Sequence, residues 1–278
     1  MDTPGFEAGN EQRAVVCGPR ARTLAEGDGS VALVPLGELV PLAVGCAVTL
    51  PSGVHACEVD AAALEALAAR TGAAVVSFRE LGGAQQRLFA AAWGYVHFRN
   101  TLRFDPHTGK KVRFTAGGRS AVTPAGREVF PRINPCVIGA IFHPEREAIV
   151  VGKNALRPQY FSLVAGYMET GESMEEAFIR EAAEETGLPV GQVRYVRSQP
   201  WPPSQSLMLG VVATALRSEP VRQTDGELLE TRWVTREDVA AGRLELPARG
   251  SIAHQLLTQF AAGTLTRAGV VAAAEEEE

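Results

Sequence analysis

The 23-residue segment Gly166–Leu188 constrains this chain more than any other, because it carries its own start signal, stop signal and charge pattern. Ser173 and Glu176 form an S-x-x-E capping box, and Gly187 suits the residue just past a helix end, so the spacing predicts a helix over 174–186. Glu181, Glu184 and Glu185 then fall at i, i+3 and i+4, on one face. That placement is locally unfavourable. Like charges one turn apart repel by a few tenths of a kcal/mol, and acids in the last turns oppose the helix dipole. The acids continue a stripe begun by Met174, Ala177 and Phe178, while Ile179, Ala182 and Ala183 form a second apolar side. A helix apolar on both sides is expected to be packed on both, with the acids at a cleft. Two readings follow. One is an acidic surface helix in which Arg180 screens Glu184. The other is a divalent-cation site, since hard oxygen ligands on a rigid helix suit Mg²⁺ or Mn²⁺.

The rest of the chain predicts a soluble, mixed α+β protein. Residues 1–60 alternate short β-like runs, such as Ser30–Val34 and Cys46–Leu50, with Gly/Pro turns. Helices are expected at 60–70, capped by Asp60, and at 82–99. Residues 104–130 read as two turns joined by a short hairpin, with too few apolar residues for a core of their own. Strands are expected near 136–142, 148–152, 193–198, 207–216 and 230–234, and a helix near 250–262. The acidic end, Ala272 to Glu278, reads as frayed.

Composition excludes several classes. No stretch approaches the ~18 apolar residues of a membrane helix. The polar, acidic N-terminus does not resemble a secretory signal. The four cysteines, Cys17, Cys46, Cys57 and Cys136, form no C-x-x-C pair, and so few thiols in 278 residues suit a reducing cytoplasm. The formal net charge of −5 implies no general polyanion-binding surface, although a local basic groove stays open.

The segment from Gly166 to Leu188 resembles the Nudix hydrolase signature, G-x5-E-x7-R-E-U-x-E-E-x-G-U, where U is bulky and apolar. Gly166, Glu172, Arg180, Glu181, Glu184, Glu185, Gly187 and Leu188 match, and Ala182 is a small residue at the first U. The resemblance implies the Nudix α/β/α sandwich and hydrolysis of a nucleoside diphosphate linked to another moiety. It makes Glu181, Glu184 and Glu185 metal ligands or the water-activating base, with Mg²⁺ or Mn²⁺ as cofactor. Arg180 and Glu172 become structural braces. Glu227, aligned through a one-residue insertion, and the carbonyl of Ala165 become further ligands.

Downstream, Ser198-Gln-Pro-Trp-Pro-Pro-Ser-Gln-Ser206 resembles the S-Q-P-W-P-F-P-x-S motif of NADH pyrophosphatases. Three prolines around a Trp make a stiff loop. It either presents Gln199, Pro200, Trp201 and Ser206 to substrate, or is a connector with Trp201 packed on the core. Pro203 and Ser204 depart from the family's Phe and Pro. Phe130 and Tyr167 are candidates to sandwich a base, and Ala253 to line the site through its backbone. The family's zinc-ribbon cysteines correspond to Asp105, Thr108, Val122 and Ala125, so no zinc is expected.

The implied organisation is an N-terminal domain (1–100), a degenerate ribbon (101–131), a Nudix domain (132–265) and a frayed tail (266–278). The implied activity is a metal-dependent pyrophosphatase splitting NAD(H) into nicotinamide mononucleotide and AMP, with NAD-capped RNA as a further substrate. The chain is expected to be a cytoplasmic homodimer that engages no membrane. The alternatives are an ADP-ribose or related pyrophosphatase, and an inactive nucleotide sensor.

Overall fold

The computed structural model describes residues 12–45 and 47–270. The expectations for the first residues, for Cys46 and for the end beyond 270 lie outside them. The chain divides into two units: unit 1 runs to Ile133 and adds Trp201–Gln205, and unit 2 comprises Asn134–Pro200 and Ser206 onward.

Unit 1 contains β1 (Arg13–Cys17), β2 (Arg22–Ala25), β3 (Leu33–Pro35), the short α1 (Leu36–Leu39), β4 (Val48–Thr49), β5 (His55–Glu58), α2 (Ala61–Thr71), β6 (Ala74–Ser77) and α3 (Gly83–Thr101). A four-stranded sheet, ordered β3-β1-β5-β4, is parallel only between β1 and β5. Side-chain alternation splits β1 between two cores. Val15 and Cys17 pack with Phe89, Ala92 and Val96 of α3, whereas Ala14 and Val16 pack with Leu64 and Leu67 of α2. Asp60 caps α2 by accepting from Ala63 N–H at 2.8 Å, as its sequence position predicts.

The 104–130 region forms a three-stranded meander of β7 (Arg113–Thr115), β8 (Ser120–Val122) and β9 (Glu128–Val129). Asp105 is buried at its entry. Its carboxylate accepts from the Thr108 hydroxyl (2.8 Å), the His107 N–H (3.2 Å) and Arg127 (3.4 Å), and these contacts hold its pKa below the usual range. Side-chain hydrogen bonds thus knit the turn on which two of the four ribbon positions fall.

Unit 2 contains β10 (Asn134–Phe142), β11 (Ala148–Asn154), β12 (Arg157–Ser162), β13 (Val164–Tyr167), α4 (Met174–Thr186), β14 (Val190–Trp201, its last residue in unit 1), β15 (Ser206–Ala215), β16 (Leu228–Thr235), α5 (Arg236–Ala240), α6 (Ile252–Ala261), β17 (Leu265–Thr266) and β18 (Gly269–Val270). Seven strands form one mixed sheet along β12-β11-β10-β15-β14, with β13 on β10 and β16 on β11. β10 and β15 run parallel from Asn134↔Ser206 to Phe142↔Thr214. Val137 and Ile141 of β10 face α4 through Ala177, Phe178 and Ala182, while Ile138, Ala140 and Phe142 face α6 through Leu256, Leu257 and Phe260. This is the α/β/α sandwich expected of the chain. Gly139 is required at the α4 face, because a Cβ there would lie 2.6 Å from the Phe178 ring.

Two expectations need correction. α4 is not packed on both sides: Ile179 is 40% exposed, and Ala182 shares the face of Ala177 and Phe178. The tail is not frayed from 266. β17 and β18 form a hairpin, with Leu265 buried and the Arg267 guanidinium bound to Glu147 and to the carbonyls of His143 and Arg146.

Candidate active site

The acids stand where local sequence signals put the helix. Ser173 Oγ accepts from Glu176 N–H at 3.2 Å, Glu176 returns a bond to Ser173 N–H at 2.8 Å, and Gly187 ends α4 with φ 71°. Arg180 organises what lies before and after. Its Nε and Nη2 hold Glu172 at 2.6 and 2.9 Å, and Nη2 also donates to the Tyr167 carbonyl at 2.9 Å. Its Nη1 donates to Glu181 at 2.9 Å and Glu184 at 3.0 Å. The guanidinium beside Glu172 holds that carboxyl down at about 2. Arg180 and Glu172 therefore brace the loop to the helix, and Arg180 also occupies two of the three clustered acids.

Glu185 is the opposite case. Only 3% exposed, it takes a backbone hydrogen bond from Ala165. Burial, then the charges of Glu181 and Glu227, push its carboxyl up to about 8, with Asp225 adding to the rise. Burial also raises Glu181, against the pull of Arg180. Gly166 makes room for this: a Cβ there would sit 2.0 Å from the Glu181 carboxyl. Glu227 is brought in by its loop, where Val221 N–H donates to the Gly187 carbonyl and Asp225 N–H to the Glu184 carbonyl, each at 2.9 Å.

Among the described residues, no three His, Cys, Asp or Glu side chains already stand as a cage for a metal ion. The donor set nonetheless suits one. Its groups are hard oxygens, and the buried Glu185 carboxylate is surrounded by like charges that a divalent cation would neutralise. Glu181 and Glu184 would have to turn from Arg180 to complete it.

Two neighbours escaped the sequence reading. Asp225, two residues before Glu227, adds its charge to the rise at Glu185. Cys136, on β10 opposite Tyr167 of β13, has its thiol pushed up to about 12 by burial and then by Glu181 and Glu185. Only the sheet register could have revealed it.

The expected substrate residues separate into groups. Gln199 is buried, and both ends of its amide are engaged: Nε2 donates to the Gly250 carbonyl at 2.8 Å and Oε1 accepts from Ile252 N–H at 2.7 Å. It braces the start of α6, where Ala253 is buried in the core. The Tyr167 and Ser206 hydroxyls share a 3.2 Å hydrogen bond, leaving the Tyr167 ring 52% exposed. Pro200 is exposed. The Trp201 ring packs edge-on against Phe78, both in unit 1. Phe130, also in unit 1, is 62% exposed.

Residues 133–255 match the family described as NUDIX domain. A Mycobacterium bovis (strain BCG / Pasteur 1173P2) protein named NAD-capped RNA hydrolase NudC is 37% identical over 208 residues, covering 68% of this chain and 66% of its own. A human protein named NAD-capped RNA hydrolase NUDT12 is 33% identical over 199 residues, covering 66% of this chain and 42% of its own. The chain thus spans just under two thirds of the mycobacterial relative and less than half of the human one. A solved structure, the NUDIX hydrolase from Nitrosomonas europaea, overlaps with a TM-score of 0.46 at 18% identity, covering 57% of this chain and 90% of that one. Residues 133–255, which carry the signature at Gly166–Leu188, are thus a NUDIX domain within this chain.

Proposed function

We propose that this chain is a divalent-metal-dependent pyrophosphatase that hydrolyses the central diphosphate of NAD(H), giving nicotinamide mononucleotide and AMP. The observation that carries the reading is the buried Glu185 carboxylate, held beside Glu181 and Glu227 with its pKa raised to about 8. Isolated in this way it is costly; its use is to hold a cation. The substrate assignment is supported by the loop Ser198–Ser206 and by relatives whose names specify NAD-capped RNA, which carries the same linkage.

Glu181, Glu184, Glu185 and Glu227 would hold Mg²⁺ or Mn²⁺. When bound, the cation neutralises phosphate charge and lowers the pKa of a bound water. Arg180 and Glu172 keep α4 in register with the preceding loop, and Gly166 lets the Glu181 carboxylate lie against β13. Gln199 fixes the start of α6, and the exposed Tyr167 ring offers a stacking face. The resemblance also supports a cytoplasmic homodimer. Among the described residues, Cys17 and Cys136 are free, buried thiols, in keeping with a reducing compartment. No helix among the described residues is long and apolar enough to cross a membrane.

Incubation with NADH, NAD⁺ or ADP-ribose plus Mg²⁺ or Mn²⁺, with products separated by chromatography, tests the reading. The expected result is a higher kcat/KM for the dinucleotides. The second reading, an ADP-ribose pyrophosphatase, is favoured by Pro203 and Ser204, and the reverse order would select it.

A further inference from the structure

Glu227 stands apart in sequence from the acids of α4, just before β16 begins at Leu228, and its place is set by β11. The ladder between these two strands pairs Ala148 with Thr235 and runs one for one to Lys153 with Glu230. Asn154 then stands opposite Leu228, so Leu229 is an extra residue, a β-bulge, and it is 65% exposed. The bulge decides which residue faces which at the strand end. With Leu229 taken into the ladder, Ala155 would meet Leu228, and Glu227 would fall opposite Leu156. With Leu229 left out, Ala155 meets Glu227, and its N–H donates to the Glu227 carbonyl at 2.8 Å.

Neighbouring groups fix both partners of that bond. Asn154 Oδ1 accepts from Leu156 N–H at 2.9 Å, which tightens the turn between β11 and β12, where Asn154 pairs with Arg157. On the other side, Asp225 Oδ1 accepts from Glu227 N–H at 2.9 Å. Leu228 lies over Gly152, where a Cβ would come within 2.5 Å of the Leu228 Cδ1. The Glu227 backbone is therefore held through its N–H, its carbonyl and the next side chain, while Glu227 itself is exposed. Bulges beside functional sites commonly re-aim a side chain. The charge aimed here is one of those that raise the Glu185 carboxyl.

We propose that the turn between β11 and β12 positions Glu227 for the cation, with Ala155 as the positioning residue through its backbone N–H. The proposal rests on the reading of Glu227 as a metal ligand. Ala155 acts one step behind that ligand, by way of the Glu227 carbonyl. Groups in such a position change metal affinity by about 10- to 100-fold when removed.

The test uses the full chain with Ala155→Pro, which removes the one donor. Ala155 is exposed, has no positive φ and directly follows β11, a turn position that suits proline. Ala155→Ser, which keeps the N–H, is the conservative variant. Mn²⁺ alone is titrated into each by paramagnetic resonance, in the wild-type and the Glu227→Gln backgrounds. Ala155→Pro should bind Mn²⁺ about 10-fold more weakly and Ala155→Ser like wild type, and Ala155→Pro should add nothing once Glu227→Gln is present. Wild-type affinity in Ala155→Pro beside a weakened Glu227→Gln would refute the positioning role and leave the ligand reading standing. An equal loss from Ala155→Pro in both backgrounds would refute it as well, since the turn would then act elsewhere. Wild-type affinity in Glu227→Gln would remove Glu227 from the ligands, and the proposal with it. Should Ala155→Pro not fold, Gly152→Ala takes its place, because its Cβ meets only the movable end of Leu228. It must show the same dependence on Glu227, or the proposal falls.

Discussion

At the scale of single residues, the site depends on which carboxylates are neutralised from within the protein. Arg180 serves Glu172, Glu181 and Glu184, and Glu185 is left among like charges. Glu185→Gln keeps the shape and removes the charge. A loss in kcat of about 10²-fold or more is expected, equal to about 3 kcal/mol of transition-state stabilisation, with the metal-free melting temperature held or raised. Glu175→Gln, on the exposed first turn, should stay near wild type in the same assay. Full activity of Glu185→Gln at saturating metal would make the cluster structural. Gly166→Ala separates the same contributions from the backbone side. Its Cβ meets only the movable end of Glu181, so stability should change little, while Mn²⁺ affinity read by paramagnetic resonance and kcat should each fall about 10-fold. Unchanged Mn²⁺ binding would show that Glu181 reaches the ion from another position. The three acids were legible from sequence because their spacing alone fixes their face. The grip of Arg180 on four residues was not, since it needs the loop at Tyr167 and Glu172 folded back over the helix.

At the scale of elements, α6 and the meander show where local signals end. The helix near 250–262 was readable from its apolar period, but the brace at its start comes from Gln199, more than fifty positions earlier. Gln199→Leu removes the acceptor of the Ile252 N–H and the donor to Gly250, and should destabilise unit 2 by about 1–3 kcal/mol in chemical denaturation. An unaltered midpoint would return the amide to the substrate. In the meander, the hydrogen bonds of Asp105 are expected to substitute for zinc. Elemental analysis should find no stoichiometric zinc, and one tightly held ion per chain would show that the ribbon has been misplaced. Because the folded pKa of Asp105 lies below its unfolded value, its contribution is present above the ordinary carboxylate pKa of about 4 and lost as pH falls through the folded value. Asp105→Ala should therefore melt a few degrees lower at pH 7, with the gap closing in acid. A gap that persists at pH 2 would mean packing, not charge, is what the variant loses. β12 and β13 escaped the sequence reading, because Arg157, Pro158 and Gln159 make a polar edge with no alternation to detect.

At the scale of the whole molecule, β10 is central to unit 2. Its odd residues, Val137 and Ile141, belong to one core, and its even residues, Ile138, Ala140 and Phe142, to the other. A slip of one residue would exchange the two sets and turn Gly139 away from Phe178. The stretch from Leu216 to Glu227 follows the opposite rule. It is pinned by its backbone at Val221 and Asp225, while Val221, Arg222, Asp225 and Glu227 themselves are exposed. Added length between pins costs little, since loop-closure entropy grows only with the logarithm of length. Residues can therefore be added or removed ahead of Glu227 at little cost, whereas an insertion within β10 would exchange its two faces. The one-residue insertion needed to align Glu227 falls in the part of the chain that can drift.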